Sequence, residues 1–277
     1  MKTLYISDLD GTLLQPDITL SRNTITTINS LMEQGMHFSV ATARSIASIK
    51  HILKDMQISL PVVLMNGVCI YDLNKAEYLH IEFLPKSSVN ALLDLIKTNH
   101  LKGFVYTIKD GAMSTYYEDL SYKALKDFYQ ERVDLYQKKF TQIDDFSLLR
   151  EESIIYFSLM DREEALQPTY ELLKLIPDLN CTFYKDNYSP DFWYLEVFSK
   201  NASKYHAVKH LREMLGYEHV VCFGDNRNDL PMFKASDTRI AVGNAVPELK
   251  EKADYIVGNN TCEGVAAWLS ENFKKLN

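Results

Sequence analysis

Short apolar runs alternate with amphipathic stretches over the first eighty residues of this chain. Residues 3–7 are apolar enough to form a strand covered on both faces. Residues 21–34 place Ile25, Ile28 and Leu31 on one helical face, with Ser21 positioned to cap it. Met36–Val40 predicts a second strand, Ser45–Met56 a second helix and Pro61–Met65 a third strand. Strands that are continuously apolar, each followed by a helix, are the pattern of a parallel sheet with helices on both faces.

The texture changes after residue 83. Helices are predicted at Val89–Lys97, Ser121–Tyr129 and Glu163–Leu175, among short strands at Gly103–Thr107, Ser114–Tyr117, Ile154–Met160, Cys181–Lys185 and Tyr194–Phe198. Tyrosine and phenylalanine are frequent there, as in the core of a small domain or the wall of a substrate pocket. From Lys204 the first texture resumes. Tyr205–Leu215, Asp229–Ala235 and Cys262–Phe273 read as helices, and Val220–Phe223, Thr238–Val242 and Tyr255–Val257 as strands. The expected fold is therefore α/β: a Rossmann-like parallel-sheet core from residues 1–82 and 195–277, with an inserted α+β cap over 83–194 whose junctions act as hinges.

Length and composition narrow the class. A chain of 277 residues with 46% hydrophobic and 24% charged residues can bury a core without disulfides. Its four cysteines form no close pair or metal-binding cluster, and no apolar run reaches the ~18 residues of a membrane span. Nothing resembles a signal peptide, so a cytoplasmic protein without a membrane partner is expected. The formal charge of -7 argues against a nucleic-acid surface but leaves room for a small phosphorylated substrate, given a metal and a few local cations.

The candidate chemistry sits at the ends of the predicted strands. Asp8 and Asp10 close the first strand before Gly11 and Thr12, and Val220–Phe223 runs into Gly224-Asp225 and then Asn228-Asp229. In an open α/β sheet such distant junctions meet at the carboxyl edge. Clustered carboxylates there call for a cation, and oxygen-only donors favour Mg²⁺. A carboxylate beside such a metal can be ligand, nucleophile or both. Asp8 can meet an electrophile, and Asp10 can protonate a leaving group and then deprotonate water. Thr42 offers a hydroxyl and an amide to phosphate, and Lys204 can neutralise both phosphate and Asp8. Asp225 supplies another metal ligand, whereas Asn228 and Asp229 can bind phosphate or orient the metal and the lysine.

These segments together resemble the haloacid dehalogenase superfamily of phosphatases, in the Cof-type branch with a large α+β (type IIB) cap. The matching stretches are DLDGTLL at 8–14, ATAR at 41–44, NG at 66–67, Lys204 within NASKYHAVKHL, and GDNRND at 224–229. The resemblance implies that Asp8 is the nucleophile that becomes an aspartyl-phosphate and that Asp10 is the general acid/base. It implies phosphate binding by Thr42, Lys204 and the amides of Leu9 and Ala43, with Asn228 assisting. Mg²⁺ would be held by Asp8, the Asp10 carbonyl and Asp225, with Asp229 supporting from behind. Ala43 stands where the second motif usually has glycine, and Asn226 where the fourth has its middle glycine; neither change removes a catalytic side chain.

The core motifs do not encode the substrate. Arg44, Lys185, Asp186, Tyr188 and Trp193 are candidates for a substrate cleft, with hinge packing an equal alternative for Trp193. Relatives of this kind act on sugar phosphates, nucleotides, pyridoxal phosphate or flavin mononucleotide. Two other functions fit parts of the pattern: a sugar phosphomutase, and a non-enzymatic domain that accepts phosphate on Asp8 as a signal.

Overall fold

The computed structural model describes residues 2–185 and 191–276. The chain divides into two compact units, one formed by Met1–His80 with Ser203–Asn277 and the other by Ile81–Ala202. In chain order the first stretch holds β1 (Thr3–Ser7), α1 (Arg22–Glu33), β2 (His37–Val40), α2 (Ile46–Ile52), β3 (Val62–Leu64), β4 (Cys69–Asp72) and β5 (Glu77–Ile81). Next come α3 (Lys86–Thr98), β6 (Gly103–Lys109), β7 (Ala112–Tyr117), α4 (Lys123–Tyr136), β8 (Thr141–Gln142), β9 (Ile154–Asp161), α5 (Glu163–Leu173), β10 (Leu179–Lys185) and β11 (Trp193–Ser199). The chain closes with α6 (Lys204–Leu215), β12 (His219–Gly224), α7 (Leu230–Ala235), β13 (Thr238–Ala241), α8 (Pro247–Lys250), β14 (Tyr255–Ile256) and α9 (Gly264–Leu276).

The first unit is the Rossmann-like α/β body. Its strands are ordered β14-β13-β12-β1-β2, all parallel, and a single bridge from Ala41 to Val63 carries the edge on to β3. All five residues of β1 are buried, so the strand is covered on both faces and its sequence cannot alternate. Tyr5, Phe38 and Phe223 are among the largest fully enclosed side chains. Truncating a core aromatic of this kind costs about 3–5 kcal/mol. As the sequence predicts, Ser21 caps α1, accepting from the Thr24 N–H at 3.0 Å, and α1 buries Ile28 and Leu31; Thr24, rather than the expected Ile25, is the third buried residue. From β1 the chain moves outward to β2 and β3. After the insertion it returns to the other side of β1 at β12. The order therefore reverses between β1 and β12, and the crevice at their carboxyl ends is where a doubly wound sheet places its ligand.

The second unit is an α+β cap built on a six-stranded sheet ordered β10-β11-β9-β6-β7-β8, antiparallel except for the β7–β8 pair. Val105, Phe157, Leu159, Leu195 and Val197 face a core completed by Val89, Leu92 and Leu93 of α3 and by Leu166 and Leu173 of α5. Phe104 lies one residue along β6 from Val105 and stacks instead on Phe128 of α4, at 4.7 Å between centroids. Phe104 and Phe128 thus serve packing.

Two sequence expectations change. The C-terminal boundary of the cap lies at Ala202, not at 194, because β11 runs through position 195 and is paired on both sides, by β9 and β10. Strands β3, β4 and β5 form a separate three-stranded sheet, with β3 and β4 antiparallel, that the hydrophobic pattern does not announce. Among the described residues no helix is long and apolar enough to cross a membrane.

Candidate active site

Strand β1 delivers Asp8 to the carboxyl edge, and the Asp8 N–H extends the ladder by donating to the Phe223 carbonyl at 3.0 Å. The chain then turns sharply, with Thr12, Leu13 and Leu14 all donating to the Leu9 carbonyl. Gly11 sits in this turn at φ +76°, and a Cβ there would lie 2.3 Å from Asp225 Oδ2. Glycine is needed on both counts. The same packing brings the first acidic loop against the second: the Thr12 hydroxyl donates to Asp225 Oδ1 at 2.9 Å.

Lys204 is the first residue of α6 and is fully enclosed despite its charge. The Ser203 hydroxyl accepts from the His206 N–H at 3.1 Å and fixes this helix start. The Lys204 ammonium donates to Asp8 Oδ1 and to Asp229 Oδ1, both at 2.6 Å. The second oxygen of Asp229 accepts from the amides of Asp225 and Asn226 at 3.0 and 3.1 Å. Asp229 is thereby consumed in holding the lysine and the loop that carries Asp225.

Oxygens of Asp8, Asp225 and Asp229 lie within 4.8 Å of one another. Three carboxylates against one ammonium leave an excess of negative charge in a closed setting. Burial pushes the Asp8 carboxyl up, opposed by Lys204 and reinforced by Asp229, Asp225 and Asp10. Burial and then Asp229 push Asp225 up to about 7, against the Thr12 hydroxyl. For Lys204 burial works against the charge, but Asp229 and Asp8 outweigh it and hold the proton more firmly than in water. This donor set fits a hard divalent cation: oxygen atoms only, with an uncompensated negative charge to be neutralised.

The other expected residues have the following surroundings. Thr42 is fully buried just beyond β2, and its hydroxyl accepts from the Arg44 N–H at 3.1 Å. Ala43 is exposed. Asn228 reaches Asn66 across a 3.4 Å contact. Asn66 and Gly67 both adopt positive φ, and a Cβ on Gly67 would collide with the Ser203 carbonyl at 2.2 Å, next to Lys204. Leu9 is fully buried and Asp10 exposed. Arg44 does not stand free: it pairs with Asp10.

In the second unit, Lys185 is an exposed strand end paired in register with Trp193. The Trp193 indole stacks on Phe183 at 4.7 Å and packs against the cap core. Asp186 and Tyr188 lie outside the described residues. Sequence reading missed Thr12, which ties the two acidic loops together, and Asn244, whose amide donates to the Gly11 carbonyl at 2.7 Å. Asn244 follows the β13 strand end after Gly243, the same strand–Gly–polar grammar that marks Asp225.

A haloacid dehalogenase-like hydrolase family profile matches residues 5–269. The chain is 25% identical over 269 residues to the pyridoxal phosphate phosphatase YbhA of Escherichia coli (strain K12), covering 95% of each chain. It is 24% identical to the 5-amino-6-(5-phospho-D-ribitylamino)uracil phosphatase YitU of Bacillus subtilis (strain 168), covering 98% of this chain and 97% of that one. The crystal structure of a haloacid dehalogenase-like hydrolase from Bacteroides thetaiotaomicron superposes with a TM-score of 0.82 at 24% identity, over 98% of this chain and 99% of that one. With its five motifs, its doubly wound core and its inserted α+β cap, the chain belongs to the haloacid dehalogenase-like hydrolases.

Proposed function

We propose that this protein is a Mg²⁺-dependent phosphomonoesterase that hydrolyses small phosphorylated metabolites through an aspartyl-phosphate on Asp8. The observation that carries the reading is the buried ammonium of Lys204, shared at 2.6 Å between Asp8 and Asp229 beside Asp225. A lysine so enclosed fixes the Asp8 carboxylate in one orientation. Its Oδ1 is taken by Lys204, which leaves Oδ2 to meet phosphorus.

In the first half-reaction Asp8 Oδ2 bonds to phosphorus as the bond from phosphorus to the ester oxygen breaks. Asp10 gives its proton to that leaving oxygen. In the second half a water oxygen attacks phosphorus and passes a proton to Asp10. The acyl-phosphate bond breaks, and Asp8 is regenerated with inorganic phosphate. Lys204 offsets the charge gathered on Asp8 and the phosphate, while the Thr42 hydroxyl and the Leu9 and Ala43 amides receive phosphate oxygens. Asp8, the Asp10 carbonyl and Asp225 would hold Mg²⁺, which when bound screens the repulsion between the phosphate dianion and Asp8.

The substrate class is a small phosphomonoester. Relatives named for pyridoxal phosphate and for a phosphoribitylamino-uracil support a ring-bearing alcohol as the leaving group. Lys185 and Trp193 remain candidates for its recognition.

The test is phosphate release from a panel of sugar phosphates, nucleotides, pyridoxal phosphate and flavin mononucleotide, with Mg²⁺ and with EDTA, for wild type and Asp8→Asn. Metal-dependent release lost in Asp8→Asn is the expected result. Folded wild type that releases no phosphate from any compound would refute the reading.

A further inference from the structure

Arg44 has a defined partner in the first unit. Its Nε donates to Asp10 Oδ2 at 2.7 Å and its Nη2 to Asp10 Oδ1 at 2.6 Å, a two-pronged fork onto one carboxylate. The two partners are unequally held. The Arg44 side chain is 15% exposed and that of Asp10 50%.

The Arg44 backbone is pinned at both ends. Its N–H donates to the Thr42 hydroxyl at 3.1 Å, and its carbonyl accepts from the Met65 N–H at 3.1 Å. The Asn66 N–H in turn donates to the Thr42 carbonyl at 2.9 Å. Arg44 is thus a braced base, and Asp10 a half-exposed carboxylate on a turn. A flexible partner held bidentately by a rigid one takes its direction from the rigid one.

We propose that Arg44 is the positioning residue for Asp10, aiming its carboxylate at the reacting water. The assignment rests on the phosphatase reading above and adds to it the group that fixes the direction of Asp10. Guanidinium has only donors, and its two N–H groups hold both carboxylate oxygens in one plane. With a leaving group that departs as an anion, only the hydrolysis of the acyl phosphate calls on Asp10. Removing Arg44 then shifts the slow step toward dephosphorylation.

The experiment compares wild type, Arg44→Ala and Arg44→Lys with Mg²⁺ and p-nitrophenyl phosphate, in steady state and in the first turnover. Para-nitrophenolate leaves without needing a proton, so its release reports formation of the acyl phosphate. Misdirecting a general base costs roughly 10–100-fold. The expected result for Arg44→Ala is a fall in kcat of about that size, a KM within about threefold of wild type and a burst of nitrophenolate larger than that of wild type. Arg44→Lys, which restores charge but only one prong, is expected to fall between the two. It carries the test by itself should circular dichroism show Arg44→Ala unfolded.

A raised KM with kcat retained would overturn the proposal in favour of direct substrate binding. Kinetics and burst equal to wild type would reduce the pair to a surface ion pair. Both outcomes leave the phosphatase reading intact. Wild type with no metal-dependent turnover would instead overturn that reading, and this one with it.

Discussion

Two ion pairs in this molecule have the same length and opposite meaning. Lys204 meets Asp8 at 2.6 Å with side chains 0% and 5% exposed. In the cap, Lys86 meets Glu151 at 2.6 Å with side chains 70% and 86% exposed. Water already solvates both members of the cap pair, so the contact adds little and salt screens it. In the core, both side chains are shut off from bulk solvent and each charge depends on its partner. Removing one leaves the other stranded, with a penalty far above the worth of the bond itself. Burial, not distance, sets what each of these two contacts is worth.

The largest effect is expected from Lys204→Met. It strips the ammonium from Asp8 and Asp229, which then face each other without a counter-charge. Stability should fall by about 3–5 kcal/mol in urea unfolding, with phosphatase turnover lost as well. A midpoint within error of wild type would show that the pair matters no more than its counterpart in the cap.

The second test uses pH. Asp225 is pushed up to about 7 from an ordinary value of 3.8, so in the metal-free protein the folded state holds its proton longer than the unfolded chain. Below the unfolded value the group is neutral in both states and costs nothing. As pH rises from there toward the folded value the unfolded chain ionises first, and folding stability falls. Mg²⁺ should reverse that loss, raising the urea midpoint more at about pH 7.5 than at about pH 5. Equal stabilisation at the two values would contradict the assignment of Asp225 to the cation site.

The smallest effect belongs to the cap. Glu151→Gln breaks the exposed contact with Lys86 and is expected to leave both the unfolding midpoint and metal-dependent phosphate release unchanged. A measurable loss of either would remove the contrast between the two regions.

The same contrast decides what the sequence makes legible. Buried parallel strands that end in acids announce themselves, because a fully apolar run closed by Asp-x-Asp-Gly or Gly-Asp breaks its own pattern. Asp8 and Asp225 could thus be brought to one edge from spacing and topology. Strand β5 could not: it is partly exposed throughout, and its sequence Glu77-Tyr-Leu-His-Ile81 has no continuous apolar run to signal a strand. Thr12 and Asn244 stayed hidden for another reason. Their bonds to Asp225 and to Gly11 join loops 213 and 233 residues apart, and no local pattern encodes such a meeting. Arg44 was legible as a charged residue near the site but not as the partner of Asp10, because an arginine side chain reaches several directions from one backbone position.

The most direct test of the central claim is to identify the residue that carries phosphate during turnover. Wild type and Asp8→Asn would be mixed with Mg²⁺ and a phosphomonoester, quenched in acid, digested and sequenced by mass spectrometry. The account predicts one phosphoryl group on Asp8 in the wild-type peptide and none in the variant. Phosphate on another residue, or turnover that persists in Asp8→Asn, would contradict it.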